Sequence, residues 1–578
     1  MPADTGPLLV FGPNSLRYDF GPAHPLTPRR FGPGIDLLVH VGARPGLAPE
    51  PASDADLLRC HTAAYLRTVK RFSTDPWGPP EAGIGPGGDN PSFAGMHDAG
   101  AAVAGGSLRA IEAILRGDAE HAFHPGGGLH HAMPDRASGF CIYDDPALAI
   151  ARARQDGLRV LYLDFDVHHG DGVEAIHAGD PGVMTVSFHE SGRYLFPGTG
   201  FLDDLGEGEA AGTSLNIVIE PPSGESAWLA AVRRIVPWVA AAFGPDVVVS
   251  QHGADSHAWD PLAHLMVTTT AMGEAARIVD RVAHRWASGR WLATGGGGYD
   301  AYRVVPRTWS LVWLAGAHRD VPSSTPAAWR ERWADEASRH GQAPLPETFE
   351  DPPNAGADVG RQQLAAEHAT VTGLDLAELV AVPALLRAAR RRGGWDPDRR
   401  AGAGPPAGAG SRAGEPSVRP TIVDPLGPEA LSRLAIAPRV VPPADSVAVH
   451  ELLLASLLDG ATAVAAVADD TAVGVAIAGP ADTERPRELL ALGVAPGHRR
   501  RGLGSRLLEA LAARVDGPLE ATVSVAERDS VEPLDRGLRT SIARRLFERA
   551  GFSLADADRR LVRVDQGAVH AIRHRPGS

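Results

Sequence analysis

Lysine is nearly missing from this 578-residue chain: Lys70 is the sole example, and the other basic side chains are arginine. Such one-sided usage reflects the coding bias of a GC-rich genome more than any chemical demand. Cysteine is equally scarce. Two residues, Cys60 and Cys141, cannot build a disulfide framework, and nothing else in the chain points to an oxidising compartment. No apolar run approaches the ~20 residues that span a bilayer. The opening MPADTGPLLVFGPN has no basic stretch followed by a long apolar core, so no secretory signal is expected and a cytoplasmic location is. Positive charge is also in deficit. A formal net charge of −14 argues against broad affinity for nucleic acid or anionic membrane.

What is present describes folded, water-soluble domains, with 44% hydrophobic and 22% charged residues. The length exceeds what one core usually serves. WDPDRRAGAGPPAGAGSRAGEPSVRP (395–420) has almost no large apolar side chains and cannot offset the cost of ordering its backbone. It reads as a semi-flexible linker. The expected organisation is a large domain over 1–394, a Gly/Ala/Pro-rich linker over 395–424 and a smaller domain over 425–578. A linker of about 25 residues spans roughly 30 Å on average.

In the first part, apolar strands end in polar or glycine-rich clusters: VLYLDFDVHHGDG (160–172), VMTVSFH (183–189), DVVVSQHGAD (246–255) and WLATGGGGYD (291–300). Helical stretches such as SAWLAAVRRIVPWVAAAF lie between them. That alternation predicts a parallel sheet covered by helices on both faces, with ligands beyond the carboxyl ends of the strands. Strand periodicity would turn Asp164, Asp166 and His168 to one side. Two carboxylates and an imidazole on one face call for a cation; a carboxylate oxygen and an imidazole nitrogen both suit zinc, and Asp255 could supply a third ligand. Three ligands leave room for water and substrate, which marks a catalytic centre. Singly, each residue is as readily a cap or turn former; four strand ends carrying the pattern point to a site. GGGLHH (126–131) adds a glycine loop bearing two histidines, His130 and His131, that titrate near neutrality.

These motifs resemble, in order, those of the histone deacetylases: HPGGGLHHA (124–132), SGFC (138–141), LDFDVHHGDG (163–172), FPGTG (196–200), GADS with DPL four residues on (253–262), and GGGGYD (295–300). YDFGPAHPLTPRR (18–30) and GGDNPSFAGM (87–96) extend the match over most of residues 1 to ~320. Within that family the wording is most similar to the bacterial acetoin-utilisation, AcuC-type branch. The resemblance implies an arginase/deacetylase-like α/β fold and hydrolysis of acylated lysine side chains. It implies zinc on Asp166, His168 and Asp255, with His131 as general base beside His130, and Asp164 and Asp171 bracing the two histidines. Tyr299 would donate to the substrate carbonyl. Phe140 and Phe196 would wall the acyl-lysine tunnel, with Gly139 and Leu262 lining it. Asp89 would hold substrate amides at the rim, and Arg30 would face an inner pocket for acetate. Asp164, Asp166, His168, Ser187 and Phe188 match a structural potassium site. Iron(II) suits the same zinc ligands. Asp144 stands where many relatives have Asn, and little effect is expected. The implied partner is an acetylated protein, with acetyl-CoA synthetase as the client by analogy; acetylpolyamines are the alternative substrate.

The smaller domain carries ELLALGVAPGHRRRGLGSRLLEAL (488–511), read as a strand ending near Val494, a basic glycine loop and an amphipathic helix. Arg499, Arg500, Arg501, Gly502, Leu503, Gly504 and Ser505 form an R-x-x-G-x-G loop whose backbone N–H groups can cradle a pyrophosphate. With RRLFERAGFS (544–553) and a hairpin over 461–479, this resembles the GNAT family of N-acetyltransferases, implying an α+β fold and acetyl-CoA as cofactor. Phe547 occupies the place where many relatives have a proton-donating Tyr, and Glu488 is a candidate base. Two readings stay open: a working transferase beside a deacetylase, or an acetyl-CoA sensor without transfer.

Overall fold

The structure, a computed structural model of the chain, describes residues 6–352, 360 and 362–374, and the secondary-structure elements within 421–573 given below. It divides into two compact units, Met1–Asp396 and Pro397–Ser578.

The first unit is built on eight parallel strands: β1 (Leu8–Val10), β2 (Pro45–Leu47), β3 (His121–His124), β4 (Val160–Asp164), β5 (Val183–Glu190), β6 (Ser214–Ile219), β7 (Val247–Gln251) and β8 (Trp291–Thr294). Their order across the sheet is β2-β1-β3-β8-β7-β4-β5-β6. Every residue of β4, β5 and β7 is buried, as expected of parallel strands covered on both faces. Alternation divides the core into two layers. Leu161 and Leu163 join helices Glu225–Phe243, Thr269–Trp286 and Val305–Gly316, while Val160 and Tyr162 join helices Ala63–Thr74, Met96–Arg116 and Asp145–Gln155. The loops after β3, β8, β7, β4 and β5 leave from adjacent strands, so the histidine, glycine and aspartate motifs emerge side by side.

One local expectation is corrected. β4 ends at Asp164, so strand alternation does not align Asp166 and His168. The chain is held by turns in which each aspartate receives the backbone N–H two residues on: Asp166 N–H donates to Asp164 Oδ1 at 3.1 Å, and His168 N–H to Asp166 Oδ1 at 3.1 Å.

In the second unit, β9 (Thr421–Val423), β10 (Ala435–Ile436), β11 (Thr462–Ala468), β12 (Thr471–Ala478), β13 (Arg487–Val494), β14 (Leu519–Val523), β15 (Ser553–Ala555) and β16 (Val569–Arg573) form one sheet. The hairpin expected over 461–479 is the antiparallel β11–β12 pair. Helix Leu503–Arg514 buries Leu507, Leu508 and Leu511 and exposes Arg506 and Glu509, the expected amphipathic division. The linker assigned to 395–424 is too long by its last residues. Thr421–Val423 pairs antiparallel with β11, because a β-branched Thr-Ile-Val run favours a strand over a linker.

Candidate active site and metal centre

Beyond the carboxyl ends of the strands lies a cavity of about 300 Å³, lined by residues from all five loops. At its floor, the ligand atoms of Asp166, His168 and Asp255 lie within 4.8 Å of one another, and all three residues are buried. His168 Nδ1 is 2.9 Å from Asp166 Oδ1 and 3.2 Å from Asp255 Oδ2. Protein donors brace this floor. Gln251 Nε2 and the Gly297 N–H both donate to Asp166 Oδ2, at 2.7 and 2.8 Å, and the Val167 N–H donates to Asp255 Oδ1 at 3.0 Å. Asp255 Oδ2 is buried and no donor is aligned with it. An unsatisfied carboxylate oxygen there is costly unless a cation takes it, so the donor set fits a divalent metal. Glycine is required beside it: a Cβ on Gly297 would stand 1.9 Å from Asp255 Oδ2.

The two loop histidines pack with ring centroids 4.0 Å apart, tilted by 50°, and are held from behind. His130 Nδ1 donates to Asp164 Oδ2 at 2.8 Å, and His131 Nδ1 donates to Asp171 Oδ1 at 2.6 Å. Their environments diverge. Burial and the neighbouring His130 charge push the His131 imidazole down to about 4, against the pull of Asp171. Burial also acts on His130, but Asp164 and Asp166 outweigh it and raise its imidazole to about 10. His131 is thus the neutral ring, with Nε2 free to accept a proton.

Phe140, Phe196, Gly139, Leu262, Asp89 and Tyr299 all line the cavity. The Phe140 backbone has φ 68°, and its ring meets Tyr299 edge-on at 6.0 Å. Asp89 is exposed, as a rim residue must be. Arg30 is 4% exposed and donates to the Gly296 carbonyl at 2.6 Å, behind the metal floor. Asp164 and Ser187 are register partners on β4 and β5, with Phe188 next along.

A family model for the histone deacetylase domain matches residues 24–315. The chain belongs to the histone deacetylase family. The acetoin utilization protein AcuC of Bacillus subtilis is 40% identical over 352 residues, covering 60% of this chain and 90% of that protein. AcuC of Staphylococcus xylosus is 35% identical over 332 residues, covering 56% and 86%. Among solved structures, a histone deacetylase homologue from Aquifex aeolicus matches with TM-score 0.54 and 29% identity, covering 63% of this chain and all of that one. A histone deacetylase homologue complexed with SAHA matches with TM-score 0.55 at the same identity and coverage.

Several supports of this deacetylase-family site escaped the motif reading. Asp145 accepts the Gly128 and Leu129 N–H groups, at 3.0 and 2.8 Å, and so sets the loop that carries His130 and His131. Asp260 accepts the Leu262 and Tyr299 N–H groups, at 3.0 and 2.8 Å, fixing two cavity residues at once. The Tyr162 hydroxyl donates to Asp164 Oδ2 at 2.6 Å. Each lay inside or beside a quoted motif, but carboxylate-to-backbone contacts leave no spacing to read. Asp144 caps helix Asp145–Gln155 through the Ala147 N–H, and burial raises its carboxyl well above the usual range.

An acetyltransferase (GNAT) domain model matches residues 459–554, so the second unit carries a GNAT domain. Val494 ends β13, and Leu503, Gly504 and Ser505 form the first turn of helix Leu503–Arg514. Arg499, Arg500, Arg501, Gly502 and Phe547 lie outside the described residues. Strands β13 and β14 pair in parallel only at Arg487 with Leu519 and Glu488 with Glu520. Among the described residues, the rest of β13 therefore pairs only with β12. Among the described residues no helix is long and apolar enough to cross a membrane.

Proposed function

We propose that the first unit hydrolyses the side-chain amide of acylated lysine in proteins, with zinc held by Asp166, His168 and Asp255. The observation that carries this reading is the unsatisfied Asp255 Oδ2 in a buried Asp–His–Asp set at the floor of a cavity with aromatic walls. A divalent cation on these residues would polarise the amide carbonyl and acidify a water; iron(II) suits the same donors. His131, neutral and oriented by Asp171, takes the water proton at Nε2. As the C–N bond breaks, it returns that proton to the departing lysine amine. His130, paired with Asp164, supplies positive charge beside the developing oxyanion, and the Tyr299 hydroxyl donates to that oxygen. Phe140 and Phe196 contact the apolar lysine stem, Gly139 and Leu262 complete the tunnel, and Asp89 receives substrate amide groups. Arg30, a buried cation bonded to the Gly296 carbonyl, is suited to hold the carboxylate product. Potassium at Asp164, Asp166, His168, Ser187 and Phe188 belongs to the same reading.

The second unit, on this reading, transfers acetyl from acetyl-CoA to an amine, so one chain both removes and adds acetyl groups on a client such as acetyl-CoA synthetase in the cytoplasm. The test is hydrolysis of an acetyl-lysine peptide by zinc-loaded protein, beside Asp255→Ala and Tyr299→Phe. Activity lost with a chelator and in both variants supports the assignment. Turnover of acetylated polyamines but not of the peptide overturns the protein substrate. Acetyl-CoA binding without transfer to any amine reduces the second unit to a sensor.

A further inference from the structure

A second set of metal-ligating side chains lies at the other end of the sheet, where β3 begins. His121 is the first residue of β3. Asp280 and His284 lie four apart on helix Thr269–Trp286 and so share a face. His318 follows helix Val305–Gly316. Four atoms from these residues converge. His284 Nε2 is 3.1 Å from both His121 Nε2 and His318 Nε2. Asp280 Oδ1 is 3.0 Å from His318 Nε2 and 3.5 Å from the Nε2 atoms of His121 and His284.

Hydrogen bonding accounts poorly for this arrangement. An imidazole Nε2 carries one proton or one lone pair in the ring plane. His284 Nε2 nevertheless has three polar atoms within 3.5 Å. The separations instead match a coordination shell. Tetrahedral zinc with bonds of ~2.0–2.1 Å places its ligand atoms ~3.3–3.4 Å apart, and the five separations above fall between 3.0 and 3.5 Å. One further observation agrees. His121 is 6% exposed and its Nδ1 has no hydrogen-bond partner, so the ring is buried with only Nε2 engaged, at this cluster. His318 takes φ 53° as the left-handed residue that closes helix Val305–Gly316, with its N–H donating to the Ala315 carbonyl and the Arg319 N–H to the Leu314 carbonyl, and from there its ring reaches Asp280 and His284.

We propose that His121, Asp280, His284 and His318 form a second metal site, a structural one that takes zinc. Four protein ligands close the shell and leave no position for substrate, unlike the three-ligand set in the cavity. The ion ties the start of β3 to helix Thr269–Trp286 and to the segment after helix Val305–Gly316. The proposal stands apart from the hydrolase reading, because it shares no residue with that site.

The test uses the full chain, purified without a polyhistidine tag and carrying Asp255→Ala to remove the cavity site. After chelator stripping, reloading with zinc and desalting, elemental analysis should find one zinc per chain. Adding His318→Ala or His284→Gln should abolish it, weakening zinc binding at least ~100-fold, beyond the ~10–100-fold cost of losing an outer-shell partner. Cobalt(II) in place of zinc should give the intense visible absorption of a tetrahedral ion, lost in both variants. Circular dichroism reports whether each variant is folded, and since His318 is exposed its replacement should leave the fold intact. No retained zinc in the Asp255→Ala chain, equal zinc with and without His318→Ala, or the weak absorption of octahedral cobalt would each overturn the site. In the otherwise native chain, His318→Ala should lose one zinc yet keep peptide hydrolysis, which separates this site from the cavity.

Discussion

The cavity cluster and the β3-edge cluster both bring imidazole and carboxylate together, at opposite ends of the strands, and they are built differently. In the cavity, Asp166, His168 and Asp255 are all buried. Gln251 and the Gly297 and Val167 N–H groups occupy other carboxylate oxygens while leaving Asp255 Oδ2 unsatisfied. At the edge, two of four residues are exposed, and among the described residues no backbone N–H donates to the Asp280 carboxylate. The first is a pre-set frame with one oxygen and an open side reserved for chemistry. The second has ligands from three separate elements and nothing open. Rigidity supplied by backbone N–H donors accompanies reactivity, and convergence of side chains alone accompanies a staple.

The largest effect should come from breaking the frame. Asp255→Ala is expected to lower kcat/KM on an acetyl-lysine peptide by more than ~10³-fold, exceeding the ~10–100-fold typical of an outer-shell partner, while the edge site keeps its zinc. Steady-state kinetics with zinc analysis checks both halves. Next comes a buried carboxylate that needs no metal. Asp351 accepts from Arg307 at 2.6 Å, His257 at 2.8 Å, and both the backbone N–H and hydroxyl of Thr269 at 3.0 and 2.8 Å, and these neighbours hold its carboxyl well below the usual range. Asp351→Ala strands the fully buried Arg307 guanidinium and should cost ~3–5 kcal/mol in denaturant unfolding. Both zinc sites should survive in the folded fraction; loss of either would mean that charge satisfaction and metal binding are not separable here. A smaller effect is expected from Gln251→Met, which removes one donor to Asp166 Oδ2 and keeps the side-chain length. Zinc affinity of the cavity should fall ~10–100-fold, with the edge site unmoved in the same titration.

These differences also decide what could be read from the sequence. The cavity residues were legible because parallel strands deliver consecutive loops to one edge of the sheet, so each loop keeps its own compact motif: GGGLHH, DFDVHHGD, GADS, GGGGYD. Strands β4, β5, β7 and β8 were legible as apolar runs for the same reason. Strand β3 was not, because HAFH (121–124) hides a buried strand behind two histidines, and three-residue strands such as β1 and β2 are too short to show a period. Asp145, Asp260 and Gln251 act on backbone or on a neighbour's carboxylate, contacts that exist only once the loops are stacked. The edge cluster joins residues 121, 280, 284 and 318, and no motif-length window on the chain contains more than two of them.

The smallest effect is the sharpest test of the comparison, because it should depend on the ion. His318 closes helix Val305–Gly316 in a left-handed conformation that costs a non-glycine residue ~1–2 kcal/mol and is held by its N–H on the Ala315 carbonyl, and its exposed ring meets Asp280 and His284. In His318→Gly the backbone cost disappears, offset by the ~0.5–1 kcal/mol of extra chain entropy that glycine loses on folding. Metal-free protein should therefore unfold within ~1 kcal/mol of the parent. With zinc at about 100 times its dissociation constant, the parent should gain ~2.7 kcal/mol from the edge site, by mass action on the folded state alone. To isolate that gain, parent and variant both carry Asp255→Ala. The parent's unfolding midpoint should then rise with zinc concentration and the His318→Gly midpoint should not. Equal zinc shifts in the two would show that His318 holds no ion, and that the two clusters do not differ in the way argued above.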